Sequence, residues 1–306
     1  MKRLVLPIIA ALALLSSCNN SKGEDYDPFA IYLEWYKLTS AQNDLALDPF
    51  NVAYRLNVYL KAVAADPRQA ETLRNRFFEG AQILTKDNKT YTISYTFRTG
   101  EVRRDLNRQG DVIVHTEGAD LSTPGTTWTV TTTQARPYQV NLTNYGIIEQ
   151  RLSTGSYMIR TTAADQWEVV TPNDGVYMRM TAMGLYSNWY VGVKITQVQG
   201  NQTPDALTDA RFQVEILPGN ENGGKNLYSS YFRYQILSPL LYQAQCTYLQ
   251  KSGGEERIIL LDANTGSVGI DSVTYDRGNQ WMCNPPYSVT AKLDGQTTTR
   301  YYQEKI

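Results

Sequence analysis

The chain has 306 residues, and its 29 Lys and Arg nearly balance its 30 Asp and Glu, which gives a formal net charge of -1. Such a balance provides no basic surface, so nucleic acid is excluded as a predicted partner. Because His115 is the single histidine, metal sites built from two or three histidines are excluded as well. We therefore predict neither a metal nor a cofactor.

The first seventeen residues have the pattern of a secretory signal peptide. A short basic start at 1–3 precedes a nearly continuous apolar stretch at 4–15, and two small residues follow. Twelve helical residues extend roughly 18 Å, well short of a hydrocarbon core of about 30 Å. We therefore predict that residues 1–17 are a signal peptide and not a membrane anchor.

Cys18 directly follows this segment. The sequence Leu15-Ser16-Ser17-Cys18 resembles the lipobox of bacterial lipoproteins, in which the cysteine is acylated and cleavage falls just before it. The resemblance implies a diacylglyceryl group and an N-acyl chain on Cys18, enough for a durable tether, so the membrane is a predicted partner through this lipid. An ordinary signal peptide that ends at a chance cysteine is the alternative.

The residues after Cys18 bear on location. In Gram-negative lipoproteins an Asp after the cysteine favours retention in the inner membrane, so Asn19 favours transfer to the outer membrane. Residues 18–27 are polar and have no periodicity, which is typical of a flexible lipidated tether. Its acidic residues resemble the export signal of Bacteroidetes surface lipoproteins, although Lys22 precedes them. We expect an outer-membrane lipid anchor, with the protein facing the periplasm or the cell surface.

Residues 28–85 are predicted to be helical. Asp48 and Pro49 have the residue types of an N-cap and a first helical position. Asp66 and Pro67 repeat the signal, and Gln69 is placed to complete a capping box. Apolar residues follow each start at three- and four-residue spacing: Val52, Leu56, Tyr59 and Val63, then Ala70, Leu73, Phe77 and Ala81. The pattern predicts a helical hairpin, with a further candidate helix near 29–38.

From Thr90 onward the apolar period changes from about 3.6 to two, as in a half-buried strand. Further candidate strands follow at intervals of eight to twelve residues: 111–115, 127–133, 138–143, 156–161, 166–171, 176–183, 189–198, 211–217, 231–236, 241–249, 257–261, 267–275 and 288–293. The fold class is therefore α+β and predominantly β. Residues 86–306 would form a mostly antiparallel sandwich, meander or open barrel, with a subdivision considered near 220–226.

Two cysteines remain in the mature chain. Cys246 alternates with inward positions of a candidate strand, and Cys283 lies in a loop. An even pair in an oxidising compartment permits a disulfide between them. The alternative is two separate, partly buried thiols.

No local motif carries a catalytic assignment. The chain has no Gly-x-Ser-x-Gly elbow, no P-loop and no Gly-x-Gly-x-x-Gly fingerprint. We predict that His115 is an exposed strand residue. The catalytic carboxylates of glycoside hydrolases need no local spacing, so that class stays open. We predict a non-catalytic binding or assembly module at the outer membrane, with a carboxylate-dependent hydrolase of glycans or peptides as the alternative.

Aromatic residues near turns are the candidate ligand-binding residues. Trp189, Tyr190, Trp281 and Tyr287 put large flat rings beside polar loop residues, and such rings stack on sugar faces. The candidate partners are accordingly a glycan or an outer-membrane protein. The alternative is that these rings cover the ends of the β core, because Trp is highly buried on average.

Overall fold

The fold is that of a computed structural model. It describes residues 28–78, 81–96, 107–142, 148–172, 175–180, 185–204, 209–220, 222–225, 231–243, 250–262, 266–275, 287–293 and 296–302. The predicted class is confirmed, because two helices at the N-terminal end precede a mostly antiparallel sheet. Among the described residues, no helix has both the length and the apolar character needed to span a membrane. Cys18, Cys246, Trp281 and Cys283 lie outside the described residues, as do the predicted signal peptide and tether.

The first helix, α1, runs from Pro28 to Ala65 without a break. The prediction that a helix begins at Asp48-Pro49 is therefore wrong. Pro49 has no N–H group, so it removes one helical hydrogen bond. The burial of the residues on both sides of Pro49 offsets that cost, because twelve of the thirteen residues from Ala46 to Val58 are buried.

The second helical start is confirmed in outline. The side chain of Asp66 accepts a hydrogen bond from the Arg68 amide, and Pro67 opens a short 3-10 turn, Pro67–Gln69. Gln69 Nε2 donates to the Asp66 carboxylate at 3.2 Å, and the Asp66 amide, which a capping box would pair with the Gln69 side chain, donates to the Ala62 carbonyl instead. Helix α2 then runs from Ala70 to Phe78.

The helical segment ends earlier than predicted. Strand β1 (Gln82–Asp87) occupies the end of the range 28–85 and pairs with β2 (Thr90–Tyr95). The turn between them is closed by the Asp87 side chain, which accepts a hydrogen bond from the Thr90 amide at 2.7 Å. The apolar spacing continues through Ala81 although α2 has already ended.

The remaining strands follow in chain order. They are β3 (Asn107–His115), β4 (Thr127–Thr132), β5 (Tyr138–Leu142), β6 (Ile148–Ala163), β7 (Gln166–Val170), β8 (Val176–Met180), β9 (Leu185–Tyr190), β10 (Gly192–Gln199), β11 (Arg211–Ile216), β12 (Asn222–Lys225), β13 (Tyr231–Gln243), β14 (Gln250–Asp262), β15 (Gly266–Tyr275), β16 (Tyr287–Leu293) and β17 (Gln296–Tyr302). Strands β1, β12 and β17 are additions to the predicted set.

The strands form one antiparallel meander. Each strand pairs with its successor in the chain, except where two short strands lie end to end along one longer row. These interrupted rows are β4 with β5, β7 with β8, β9 with β10, and β11 with β12. The sheet is open, because β1 and β17 each have one ladder partner among the described strands. Strands on both sides of 220–226 belong to this sheet.

The core lies between α1 and one face of the sheet. Helix α1 contacts strands near both ends of the meander and strands between them, namely β3, β4, β6, β14, β15 and β16. The sheet therefore curves around the helix. This curvature explains why residues 46–58 of α1 are buried on nearly all sides rather than along the single stripe that the spacing predicted.

Alternate strand residues complete the core. On β4, Trp128 and Val130 are buried while their neighbours are half-exposed. Four aromatic side chains meet at its centre, where the ring of Phe50 lies 5.4 Å from Trp167 and the ring of Tyr54 lies 5.0 Å from Phe212. Truncation of a buried Phe at such a site costs about 3–5 kcal/mol. This packing fixes the sheet on the helix.

Candidate functional site

A gap in the sheet lies where β11 gives way to β12. Strand β13 pairs with β12 from Tyr231 to Tyr234 and with β11 from Leu240 to Gln243. The two ladders leave a break of five residues, 235–239, along this edge of β13 among the described strands. On the opposite side, Gln235 and Ile236 pair with β14, and the register shifts after Ile236.

A half-open groove of about 370 Å³ occupies this gap. Its size is near the lower end of the range of roughly 300–1,000 Å³ that is usual for ligand sites. The residues that line it are Ile216, Asn220, Asn222, Arg233, Tyr234, Gln235, Ile236 and Leu237. The described lining thus offers three amides, one guanidinium and three aliphatic side chains, and no carboxylate.

The other side of the same interruption is closed. The main-chain amide of Gly192, on β10, donates to Asn222 Oδ1 at 2.7 Å, and the Leu217 amide donates to the Gly192 carbonyl at 3.0 Å. The loop also turns on itself, since the Asn220 amide donates to the Leu217 carbonyl. These bonds hold the loop against β10, so the open space lies only toward β13.

The wall behind the groove is rigid and aromatic. The Tyr234 hydroxyl donates a hydrogen bond to Glu256, whose side chain is fully buried. The Tyr234 ring lies 6.0 Å from the ring of Trp189, which in turn lies 4.8 Å from Phe232. Tyr234 is itself 2% exposed, so this stack supports the groove without offering a flat ring to a ligand.

Three of the four predicted ligand-binding residues, Trp189, Tyr190 and Tyr287, lie in the described part of the chain. Trp189 is fully buried on β9 between β8 and β12, and Tyr287 is 9% exposed at the start of β16. The prediction of an exposed ring is therefore wrong at both positions, because both rings face the core side of the sheet. Tyr190 is half-buried, and its hydroxyl accepts a hydrogen bond from Asn188 at 3.1 Å.

The most buried ionisable cluster lies elsewhere, between α1 and the start of β5. Arg108 donates from Nη2 to Asp48 Oδ1 at 2.9 Å and from Nε to Asp48 Oδ2 at 3.3 Å. The Tyr138 hydroxyl accepts from Arg108 Nε at 2.9 Å and donates to Asp48. Asn51 donates to Asp48 as well. Instead of capping a helix, Asp48 joins α1 to β3 and β5.

This cluster is fully buried and hydrogen-bonded, so its charges are fixed. Burial alone would raise the pKa of Asp48, but the charge of Arg108 and the hydrogen bonds from Arg108, Tyr138 and Asn51 hold that pKa below its ordinary value. The pKa of Tyr138 is raised well above its ordinary value by burial and by the nearby Asp48 charge. We interpret the cluster as structural, since its polar groups form hydrogen bonds with one another.

Two buried carboxylates and His115 are the other described groups that could carry chemistry. The buried carboxylates of Asp48 and Glu256 are each hydrogen-bonded by a tyrosine. His115 is on β3 as predicted and is partly exposed. Its ring nitrogens lie 3.0 Å from Thr90 Oγ1 and 3.2 Å from Glu117 Oε1. Within the described ranges, no group of three metal-binding side chains comes together.

No protein-family model, curated protein or solved structure matches this chain. The sequence did carry a signal for the groove, because Pro218, Gly219 and Asn220 interrupt a strand pattern at Leu217. A sequence search for exposed aromatic residues could not find it, because its lining is mainly amide and aliphatic.

Proposed function

We propose that this protein is a membrane-anchored extracytoplasmic binding or assembly module at the outer membrane, and that the groove beside β13 is its contact site. One observation carries the proposal: the sheet ladder is interrupted toward β13 while the same loop is bonded firmly to β10. Pre-formed concave sites on rigid sheets are where proteins commonly bind ligands.

The lining favours binding over turnover. Amide groups form directional hydrogen bonds with a polar partner, and Ile216, Ile236 and Leu237 add apolar contact. General acid–base or nucleophilic hydrolysis would need a carboxylate, a histidine or an activated hydroxyl at the reacting atoms. The one hydroxyl of the described lining, that of Tyr234, already donates a hydrogen bond to Glu256.

The anchor is a separate part of the proposal. A lipid on Cys18 would hold the protein at the membrane, and residues 19–27 would link it to α1. In this arrangement the groove works close to the membrane surface, facing either the periplasm or the outside of the cell. The partner is then a glycan or a protein of the outer membrane.

Photo-crosslinking in intact cells tests the groove. We would replace Gln235, an exposed lining residue, with benzoylphenylalanine in the full-length chain. The matched control carries the same group at Leu84, which is 53% exposed on β1. We expect a discrete adduct from position 235 and none from position 84. The absence of an adduct from position 235, or the same adducts from both positions, would remove the groove from the proposal.

Cell fractionation tests the anchor. We expect Cys18→Ala to lose incorporation of radiolabelled palmitate and to leave the membrane fraction. Unchanged partition of the variant would mean that something other than the lipid holds the protein. Protease treatment of intact cells then separates the two locations, since only a surface protein is degraded without permeabilisation.

A further inference from the structure

Four side chains on β14 to β17 form one row across the strands. The strand register places Tyr301 opposite Ser288, Ser288 opposite Thr274, and Thr274 opposite Glu255. Side chains at opposite positions of antiparallel strands point to the same face of the sheet. Because neighbouring strands lie about 4.8 Å apart, a row over four strands spans about 14 Å.

The row lies on the face of the sheet that points away from the core. Its neighbours along the strands, Glu256, Val273 and Val289, are buried, whereas Tyr301 is 85% exposed. The other three members of the row are half-exposed. Strand β17 pairs with β16 over seven consecutive residues without a register shift. Tyr301 is therefore a large, flat and exposed ring on a regular strand.

The polar groups of the row are not used within the described part of the chain. None of the four side chains forms a hydrogen bond or an ion pair with another described residue. In the next row on the same face, by contrast, the hydroxyls of Thr290 and Thr299 lie 2.9 Å apart and bond to each other. The row thus offers a ligand one ring, two aliphatic hydroxyls and, at its far end, the Glu255 carboxylate.

This combination fits a sugar better than a peptide. A pyranose has an apolar C–H face that lies flat on an aromatic ring, and its hydroxyls both donate and accept hydrogen bonds. An extended peptide would bind through the main chain of a strand edge, but β14, β15 and β16 are each paired on both sides. The Glu255 carboxylate would repel an acidic sugar, so a neutral glycan fits best.

We propose that the outer face of β14 to β17 binds a neutral oligosaccharide, which lies across the strands with one sugar ring stacked on Tyr301. Its hydroxyls exchange hydrogen bonds with Ser288 and Thr274 and donate to Glu255 at the other end of the row. This glycan site is separate from the groove beside β13. Its failure would leave the proposed function of the groove standing.

An oligosaccharide array tests whether the protein binds such glycans. The probes are neutral oligosaccharides, each printed beside a counterpart that carries a uronic acid. The full-length chain is applied in a detergent without a sugar head group, because a sugar head group would compete for the ring. We expect the wild type to bind at least one neutral member more tightly than its acidic counterpart. Failure to bind any neutral member would overturn the proposal.

Substitution of the ring locates the binding, with the neutral oligosaccharide that binds most tightly as the probe in titration calorimetry. We expect Tyr301→Ala to weaken binding by roughly tenfold or more, and Tyr301→Phe, which keeps the ring, to stay within about threefold of the wild type. Tyr231→Ala is the matched control, since it removes a tyrosine that is 61% exposed on β13. It should bind like the wild type. Unchanged binding by Tyr301→Ala, or equal losses in the two Ala variants, would overturn the assignment.

The carboxylate has its own test in Glu255→Gln, which removes the charge and keeps a hydrogen-bonding group of similar size. We expect the ratio of neutral to acidic affinity, measured on the same pair of oligosaccharides, to fall by roughly tenfold. A role in folding alone would not change this ratio, and denaturant unfolding of the variant should match the wild type. An unchanged ratio would show that Glu255 does not face the glycan and would overturn the placement of the row.

Discussion

Two interruptions of the sheet differ in what fills them. Between β4 and β5 the chain leaves the ladder at 133–137, and side chains close the space. Arg136 Nη1 donates to Ser94 Oγ at 2.6 Å and pairs with Asp111 at 3.0 Å, while the Asp111 amide donates to the Arg136 carbonyl. Between β11 and β12 the loop is bonded to β10, but the side toward β13 remains open.

The difference follows from where the nearest charged groups lie. At the first interruption, Tyr138 begins β5 and meets Arg108 of β3 and Asp48 of α1 inside the sheet. The helix thus braces that interruption from the core side. At the second, the residue behind the gap is Tyr234, which bonds to its neighbouring strand through Glu256. One interruption serves to join the helix to the sheet, and we propose that the other serves recognition.

The largest effect should come from breaking the brace at Asp48. Asp48→Asn leaves Arg108 buried without its anionic partner, so we expect the free energy of unfolding to fall by about 3–5 kcal/mol. Chemical denaturation at pH 7 measures it. Asp165→Asn, an exposed position, is the control and should be nearly neutral. A loss below about 1 kcal/mol at Asp48 would show that the cluster does not brace the first interruption.

The pH dependence of the same pair gives a second readout. Because the pKa of Asp48 is lower in the folded chain than in the unfolded one, its stabilising contribution is present above the unfolded pKa of about 3.9. That contribution is lost as the pH falls from there through the lower, folded pKa. We therefore expect Asp48→Asn to flatten the acid limb of the stability profile. An unchanged acid limb would contradict this assignment.

A glycine pair tests how tightly each interruption is filled. Gly110 has a φ of +93°, and a Cβ there would fall on the main-chain carbonyl of Pro137. Gly219, at the open interruption, has a φ of +79° with no atom within 4 Å of such a Cβ. We expect Gly110→Ala to cost roughly 2–4 kcal/mol, from strain and overlap together. Gly219→Ala should cost only the strain, about 1–2 kcal/mol. Equal losses would mean that the two interruptions are equally filled.

A tyrosine pair sharpens the account of the closed interruption. Tyr138→Phe removes a hydroxyl that bonds both charged partners, so we expect a loss of about 1.5–3 kcal/mol. Tyr157 is equally buried, but its hydroxyl has no hydrogen-bond partner among the described residues. Tyr157→Phe should consequently be neutral or slightly stabilising. Thermal and denaturant unfolding of both variants would check the order, and a larger loss at Tyr157 would reverse our interpretation.

The sequence predicted the architecture better than the connections within it. Period-two alternation identified most strands, because alternate strand residues are buried in the core. Alternation missed β12, Asn222–Lys225, whose two central residues are glycines. The helix-start signals missed the continuation of α1 through Pro49. Local helix signals could not reveal that residues 46–58 of this helix are buried on nearly all sides, since that burial depends on strands distant in the chain.

The same limit explains the site. Trp189 was predicted from its position beside a polar turn, but its burial depends on Phe232 and Tyr234 of a later strand. The groove exists because two segments distant in the chain do not form a strand ladder. Alternation of apolar residues within one strand does not indicate which strands pair with each other. The Pro218-Gly219 break was visible in the sequence, whereas its open side was not.

The smallest effect concerns the bond that closes the β10 side of the second interruption. Asn222→Ala removes the oxygen that accepts from the Gly192 amide at 2.7 Å. A neutral hydrogen bond of this kind contributes about 0.5–1.5 kcal/mol, so we expect a loss near 1 kcal/mol in denaturant unfolding. Hydrogen exchange at the Gly192 amide should accelerate in the variant. Asn220→Ala is the control, because its exposed side chain lines the groove without a hydrogen bond among the described residues, and it should leave that amide protected. Equal acceleration of exchange at the Gly192 amide in both variants would contradict this account. It would mean that the whole loop, and not the Asn222 bond, closes the β10 side of the interruption.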